Sequence, residues 1–171
     1  MPSASWLVEP LNGDHDRESF ACGNAALDRY LKEQANQDHG RGCATPFVLS
    51  PGANQKAILG YYTLSSYGID TGELPPAVAK KLPRYPLIPA TLLGRLAVDE
   101  QHHGKGIGEF LLMDALRRSL AQSLQIAAGA VVVEAIDERA EQFYRHFGFT
   151  AFPSAHDRLF ILMKTVKALF L

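Results

Sequence analysis

Arg95-Leu96-Ala97-Val98-Asp99-Glu100-Gln101-His102-His103-Gly104-Lys105-Gly106-Ile107-Gly108 is the stretch on which the fold turns. An apolar extended run ends at Val98, a glycine-rich turn follows, and an amphipathic helix opens at Gly106. Successive glycines let several backbone N–H groups point into one concavity. The helix N-terminus adds its partial positive charge, and the two together suit a phosphate or pyrophosphate. A Walker A loop needs Gly-Lys-Ser/Thr, whereas Lys105 is followed by Gly106. A dinucleotide fingerprint needs its third glycine three positions after the second, whereas Gly108 comes two after Gly106, and such a turn opens a domain rather than lying mid-chain. His102 and His103 are adjacent, lack a third ligand nearby and read as loop residues, so no metal site is expected.

Working outward, the chain reads as mixed α and β. Upstream, Trp6-Leu7-Val8 makes a short strand. Asn24 caps a helix over residues 25–39, with Leu27, Tyr30, Leu31 and Ala35 on one face and Gly40 as its stop. Residues 46–49 and 57–67 read as strands joined through Ser50–Asn54. Residues 74–82 make a short helix entered at Pro75-Pro76, and a long strand covers 88–98. Downstream, the helix over 106–124 carries Leu112, Leu116, Leu120 and Leu124 at i+4. Ala130–Ala135 is a buried strand. Asp137 caps a helix that turns Ala140, Phe143 and Phe147 to the core and ends at Gly148. Residues 149–152 and 158–164 form a last strand pair. This order argues for an α/β sheet covered on both faces.

The chain has 171 residues, enough for one domain with a real core and short for two. Its apolar share of 47% and charged share of 20% are those of an ordered globular protein. A net charge of −1 excludes a globally basic nucleic-acid binder, though not a local basic patch. Residues 1–40 hold three basic and seven acidic side chains, and the remainder fourteen and eleven. The densest cationic cluster is Lys80, Lys81 and Arg84, beside Tyr85, with no acid between Leu74 and Val98. It reads either as a solvated loop or as a contact for an anionic partner. Cys22 and Cys43 make no disulfide scaffold and no zinc spacing; they read as two buried thiols in a reducing cytosol, with one disulfide between them as the alternative. Met1–Trp6 has no basic start before an apolar core and reads as no signal peptide, and no apolar run is long enough to span a bilayer, so a soluble cytoplasmic protein away from membranes is expected.

Gln101-His102-His103-Gly104-Lys105-Gly106 matches in full the Q/R-x-x-G-x-G/A pattern of the GNAT N-acetyltransferases, which this sequence resembles. Its second family signature, N/D-x-x-A-x-x-F-Y-x-x-x-G-F, is similar to Asp137–Phe149. The resemblance implies a single domain over residues 1–171, with a mixed central sheet splayed at the cofactor strand and helices on both faces. It implies acetyl-CoA as cofactor, its pyrophosphate cradled by Gln101, His102, His103, Gly104, Lys105, Gly106, Ile107 and Gly108. Leu96, Ala97 and Val98 would pair with pantetheine. The Val98 N–H would donate to the thioester oxygen, and Asp137 is counted with the cofactor-binding residues.

In this resemblance Tyr144 protonates the departing CoA thiolate. A tyrosine, with a reference pKa of about 10, keeps its proton at neutral pH, although transfer to a thiolate of about 8.5 is uphill unless the site assists. The acceptor amine attacks directly, and Cys22 and Cys43 have no catalytic role. No side chain stands out as general base, although Glu100 and Glu134 flank the expected site. An α-amine with a reference pKa near 7.7–8.0 is neutral in roughly one molecule in ten at pH 7, a lysine in about one in thousands. The missing base therefore tells less against an α-amine acceptor.

Phe20–Leu31 and Leu93–Asp99 resemble, more narrowly, the GNAT toxins of type II toxin–antitoxin modules, which acetylate the α-amino group of aminoacyl-tRNA and block translation. That likeness implies an aminoacyl-tRNA acceptor, a ribbon-helix-helix antitoxin partner and a homodimer. Lys80, Lys81, Arg84 and Arg95 are then the candidate substrate-binding residues, the first three holding a phosphate backbone. Two other readings stay open. One is a non-toxic GNAT enzyme of a small amine or a protein N-terminus. The other is a catalytically inactive CoA- or partner-binding protein, against which Tyr144 and the intact loop argue.

Overall fold

Runs of β-branched and aromatic residues set the strands, and glycines and prolines break them. A computed structural model describes residues 5–171; the reading of Met1–Trp6 as lacking a signal peptide rests mainly on residues 1–4, outside that range. The strands are β1 (Leu7–Pro10), β2 (Thr45–Ser50), β3 (Gly60–Asp70), β4 (Leu87–Val98), β5 (Ala130–Glu134), β6 (Thr150–Phe152) and β7 (Ala155–Leu162). The helices are α1 (Ala25–Arg29), α2 (Ala35–Gly40), α3 (Pro76–Ala79), α4 (Ile107–Ser123), α5 (Glu138–His146) and α6 (Met163–Leu169). The strands form one mixed sheet in the order β1-β2-β3-β4-β5-β7-β6. The β4–β5 pair is parallel, with Thr91–Leu93 against Val131–Val133, while β4 itself runs on to Val98. The chain divides into two compact units, one up to Ser65 together with Arg95–Ala115, the other Ser66–Gly94 with Leu116–Leu171.

In the first unit β1, β2 and the start of β3 form an antiparallel meander, Val8 opposite Leu49 and Val48 opposite Tyr61. Its core gathers Phe20, Leu27, Tyr30, Leu31, Ala35, Val48, Ile58, Tyr61 and Ala97. Asn24 caps α1 as expected, its side chain accepting from the Leu27 N–H. The helix is not continuous, however. Tyr30–Gln34 forms a π turn, in which the Ala35 N–H reaches back five residues to Tyr30 O. Gly40 lies inside α2, and Gly42 takes the left-handed conformation, φ 73°, expected of the stop.

In the second unit β5, β7 and β6 are antiparallel neighbours, with Val132 opposite Phe160 and Thr150 opposite Phe160. The core gathers Ile69, Leu74, Ile88, Ala90, Ala130, Val132, Phe152 and Phe160. The helix expected over 74–82 is reduced to the single turn α3, and β7 stops at Leu162, where α6 begins.

The buried faces of two helices differ in detail from the sequence pattern. Of the i+4 leucines, Leu112 and Leu116 are buried and Leu120 is half-buried, because each step of four residues drifts about 40° around the helix. Leu111, Leu112, Ala115, Leu116 and Ser119 are buried, and Leu124 lies past the helix end, 82% exposed. On α5 the buried ring is Tyr144, and Phe143 and Phe147 are only partly covered. The cysteines are likewise not two buried thiols: both are free, Cys22 is partly covered and Cys43 is exposed.

Candidate active site

The first unit carries the glycine turn. Asp99, buried at the end of β4, fixes its entry: one carboxylate oxygen accepts from the Gln101 N–H at 3.0 Å and the other from the Ala21 N–H at 3.2 Å. Glu100 is exposed, and its N–H reaches Ala21 O. A single 3₁₀ turn, Glu100–His102, leads to Gly104 and Gly106, at φ 80° and 79°. L residues avoid this region, so the path of the loop requires glycine at both. A Cβ on either would meet nothing within 4 Å, so neither glycine is packed against another part of the described chain.

The first helical bond of α4 runs from the Phe110 N–H to Gly106 O. The amides of Ile107, Gly108 and Glu109 therefore have no partner inside the helix. Lys105 Nζ stands 3.1 Å from His102 Nδ1, keeping a cation over the turn. His103 Nε2 donates to Val98 O at 3.0 Å and joins the turn to the end of β4. This donor set fits a diphosphate: open amides, a helix N-terminus of seventeen residues and one adjacent cation. Among the described residues no three His, Cys, Asp or Glu side chains gather into a metal-binding group.

Before the turn, Gly60 of β3 supports β4. A Cβ there would stand 2.8 Å from Ala97 O and 2.7 Å from Leu111 Cδ1, so the close approach excludes any side chain. Arg95, a candidate for binding substrate, lies with its guanidinium over the Tyr30 ring, Cζ 3.6 Å from the centroid. The Tyr30 hydroxyl donates to Asp38 at 2.8 Å. Burial, then that hydrogen bond, push its pKa up to about 12.

The second unit carries Tyr144 and the basic segment. Asp137 is exposed and caps α5, accepting from the Ala140 N–H at 2.8 Å. Tyr144 sits in the last turns of α5, 5% exposed, with Phe143 and Phe149 edge-on to its ring at 5.3 and 5.5 Å. Its hydroxyl makes no hydrogen bond among the described residues, and burial raises its pKa well above the usual tyrosine value. The group therefore holds its proton throughout the neutral range. Glu134 is exposed at the end of β5. Lys80, Lys81 and Arg84 are all exposed, beside the largely exposed rings and chains of Tyr85 and Leu87.

Sequence reasoning missed Asp99, Gly60 and Tyr30 as supports of the site. Only Asp99 left a local trace, an Asp two residues before Gln101 that caps a short turn.

A strand, an open glycine turn and a helix N-terminus define the class, and family comparison agrees. The model of the acetyltransferase (GNAT) domain matches residues 53–151, more than half of the chain. This protein belongs to that family and is an acetyltransferase of the GNAT type. It is similar to the tRNA-acetylating toxin of Mycobacterium tuberculosis, 34% identical over 154 residues that make up 90% of each chain. The structure of AtaT complexed with acetyl-methionyl-tRNAfMet superposes with a TM-score of 0.89 at 30% identity, covering 98% of this chain and 100% of that one. A tyrosine-to-phenylalanine mutant of the AtaT toxin, bound to the C-terminus of the antitoxin AtaR and acetyl-CoA, gives a TM-score of 0.82 at 27% identity. The match covers 97% of this chain and 98% of that one. Among the described residues no helix is long and apolar enough to cross a membrane.

Proposed function

We propose that this chain is a toxin that transfers an acetyl group from acetyl-CoA to the α-amino group of aminoacyl-tRNA and so blocks translation. The observation that carries the reading is the open turn at Gly104–Gly106 on an α4 N-terminus, within a chain similar over nine-tenths of its length to a tRNA-acetylating toxin. Acetyl-CoA supplies an activated acetyl thioester. The amides of Gln101–Gly108 bind its diphosphate, with Lys105 adding a cation. The backbone of Leu96–Val98, beyond the three residues that pair with β5, holds the pantetheine arm. The Val98 N–H orients the thioester oxygen and stabilises charge that develops there. His103 holds the carbonyl of the same residue and so fixes that peptide. Tyr144 gives its proton to the leaving thiolate; burial raises its pKa and makes that transfer steeper, so its positioning against the sulfur has to carry the step.

The cations Lys80, Lys81 and Arg84 hold the acceptor's phosphates, which position without specifying sequence. Arg95, its guanidinium fixed by Tyr30, contributes on the acceptor side. The whole chain serves as one catalytic domain. The protein acts in the cytoplasm as a homodimer and is held inactive by a ribbon-helix-helix antitoxin. The full-length likeness to AtaT supports both the acceptor and the antitoxin.

The test is acetyl transfer to purified charged tRNA across a salt series. Transfer is expected to weaken as salt rises through counterion release. Changing Lys80→Glu and Lys81→Glu is expected to raise the KM for charged tRNA and leave acetyl-CoA affinity unchanged. Expression of the wild type is expected to arrest growth, and Tyr144→Phe to abolish the arrest. Absence of transfer to any charged tRNA, beside efficient acetylation of a small amine, would overturn the acceptor and leave the acetyltransferase.

A further inference from the structure

Arg158 of β7 reaches two separate pieces of chain. Its Nη1 donates to the Tyr67 hydroxyl on β3 at 2.7 Å, and its Nη2 donates to Glu73 Oε2 at 2.8 Å. Its guanidinium also lies over the Phe152 ring, Cζ 4.9 Å from the centroid, and its Nε is buried without a hydrogen-bond partner among the described residues. The Arg158 side chain is only 25% exposed, and a planar fork held on two partners at once fixes a particular geometry.

The geometry it holds is that of the basic segment. Glu73 opens the stretch that runs from Thr71 to Pro86 and carries Lys80, Lys81 and Arg84. The two ends of that stretch are tied together, the Thr71 N–H to Pro86 O and Thr71 Oγ1 to Tyr85 O. Asp70 caps the first turn through the Gly72 N–H. Leu74 is buried, and Val78, Ala79 and Leu82 pack on the core around Phe152 and Phe160. The segment is thus a closed loop with an apolar underside and a cationic outer face. Glu73 is also the last acid before Asp99, and a free carboxylate there would lower the local potential.

We propose that Arg158 is a positioning residue for the acceptor. It anchors the 71–86 loop through Glu73 and Tyr67, holds the Glu73 charge paired, and so presents Lys80, Lys81 and Arg84 in one fixed arrangement to a polyanion. This rests on the reading of the acceptor as charged tRNA. It assigns the preorganisation of that face to a residue outside the basic segment and outside the cofactor loop.

The experiment compares wild type with the double variant Arg158→Met/Glu73→Gln, which leaves net charge unchanged. The KM for charged tRNA is expected to rise roughly tenfold, the scale of losing one hydrogen bond to a charged group. The kcat and the KM for acetyl-CoA stay as they were, and amide hydrogen exchange accelerates across 71–86. A simple charge role predicts no change in this neutral swap. Should the double variant not fold, Tyr67→Phe removes one anchor alone and shifts KM and exchange the same way by less. An unchanged KM for charged tRNA in a folded variant overturns the proposal, as does unchanged exchange across 71–86. If wild type transfers nothing to charged tRNA, the acceptor reading fails instead, and exchange still decides whether Arg158 anchors the loop.

Discussion

Arg95 and Tyr30 lie 3.6 Å apart, guanidinium carbon to ring centroid, and bring the end of β4 against the π turn that follows α1. The contact does two things. It removes one face of Arg95 from water and fixes its direction, and it seats the Tyr30 ring near Tyr61, whose buried hydroxyl donates to Leu27 O at 2.7 Å. A cation over an aromatic face is worth about 0.5–2 kcal/mol, depending on desolvation. Tyr30→Phe keeps that face and loses the bond to Asp38, and should cost about 1 kcal/mol. Tyr30→Ala loses both with the packing, and should cost about 3–5 kcal/mol. Urea unfolding of the two variants measures the difference.

The same ring governs the alkaline limit of stability. Tyr30 titrates at about 12 in the folded chain, against about 10 when unfolded. Below the unfolded value both states hold the proton and the stabilisation is fully present. Above it the unfolded chain releases the proton first, so stability falls as pH rises from about 10 to about 12. Tyr61 and Tyr144 are raised by burial in the same direction and extend the loss. The melting temperature should therefore decline through this window, and Tyr30→Phe should decline less. A flat profile to pH 12 would contradict the burial of these hydroxyls.

Gly106 stands at φ 79° with open space beyond it. Gly106→Val strains the backbone by about 1–2 kcal/mol, which the folded protein tolerates at an exposed turn. In the proposed cofactor site the new side chain would crowd the bare amides on which the diphosphate rests. Calorimetric titration should show CoA affinity reduced by an order of magnitude or more, with only a small loss of melting temperature. Unchanged affinity in the folded variant would move the diphosphate away from this turn.

Tyr144→Phe removes one oxygen from a buried side chain whose hydroxyl has no hydrogen-bond partner among the described residues. Stability and CoA affinity should hardly move. Turnover should fall by a factor on the order of 10²–10⁴, the usual contribution of a positioned acid. Wild-type turnover in this variant would mean that the ring packs and the hydroxyl does nothing.

The thiols should separate cleanly. Burial, then the hydrogen bond with Asp28, push the Cys22 thiol up to about 11, whereas Cys43 is exposed. A thiolate-selective reagent at pH 8 should label Cys43 quickly and Cys22 only on unfolding, as mass spectrometry of timed digests would show. Equal rates at the two sites would contradict the structure.

What the sequence determined by itself was local. The glycine turn, its strand and its helix follow from residues within a few positions of one another. So do the caps at Asn24 and Asp137 and the stop at Gly148, because φ preferences and N-cap hydrogen bonds act over one turn of chain. The family pattern was legible for the same reason, since a diphosphate cradle is built from consecutive amides. Periodicity also marked α5 as amphipathic, but it gave a face and not the centre of that face. It therefore named Phe143 and Phe147 where packing buries Tyr144. The i+4 leucines of α4 are buried at Leu112 and Leu116 and drift out to solvent by Leu124, because packing decides where the buried stripe lies.

The tertiary structure alone decided the supports. Asp99 holds Ala21 across 78 residues, Arg158 holds Glu73 across 85, and Arg158 holds Tyr67 across 91. Each of these side chains is an ordinary polar residue in its own stretch of sequence. Its partner is chosen by which strands become neighbours in the sheet. That choice rests on burying apolar faces over the whole chain, and no short window of residues contains it.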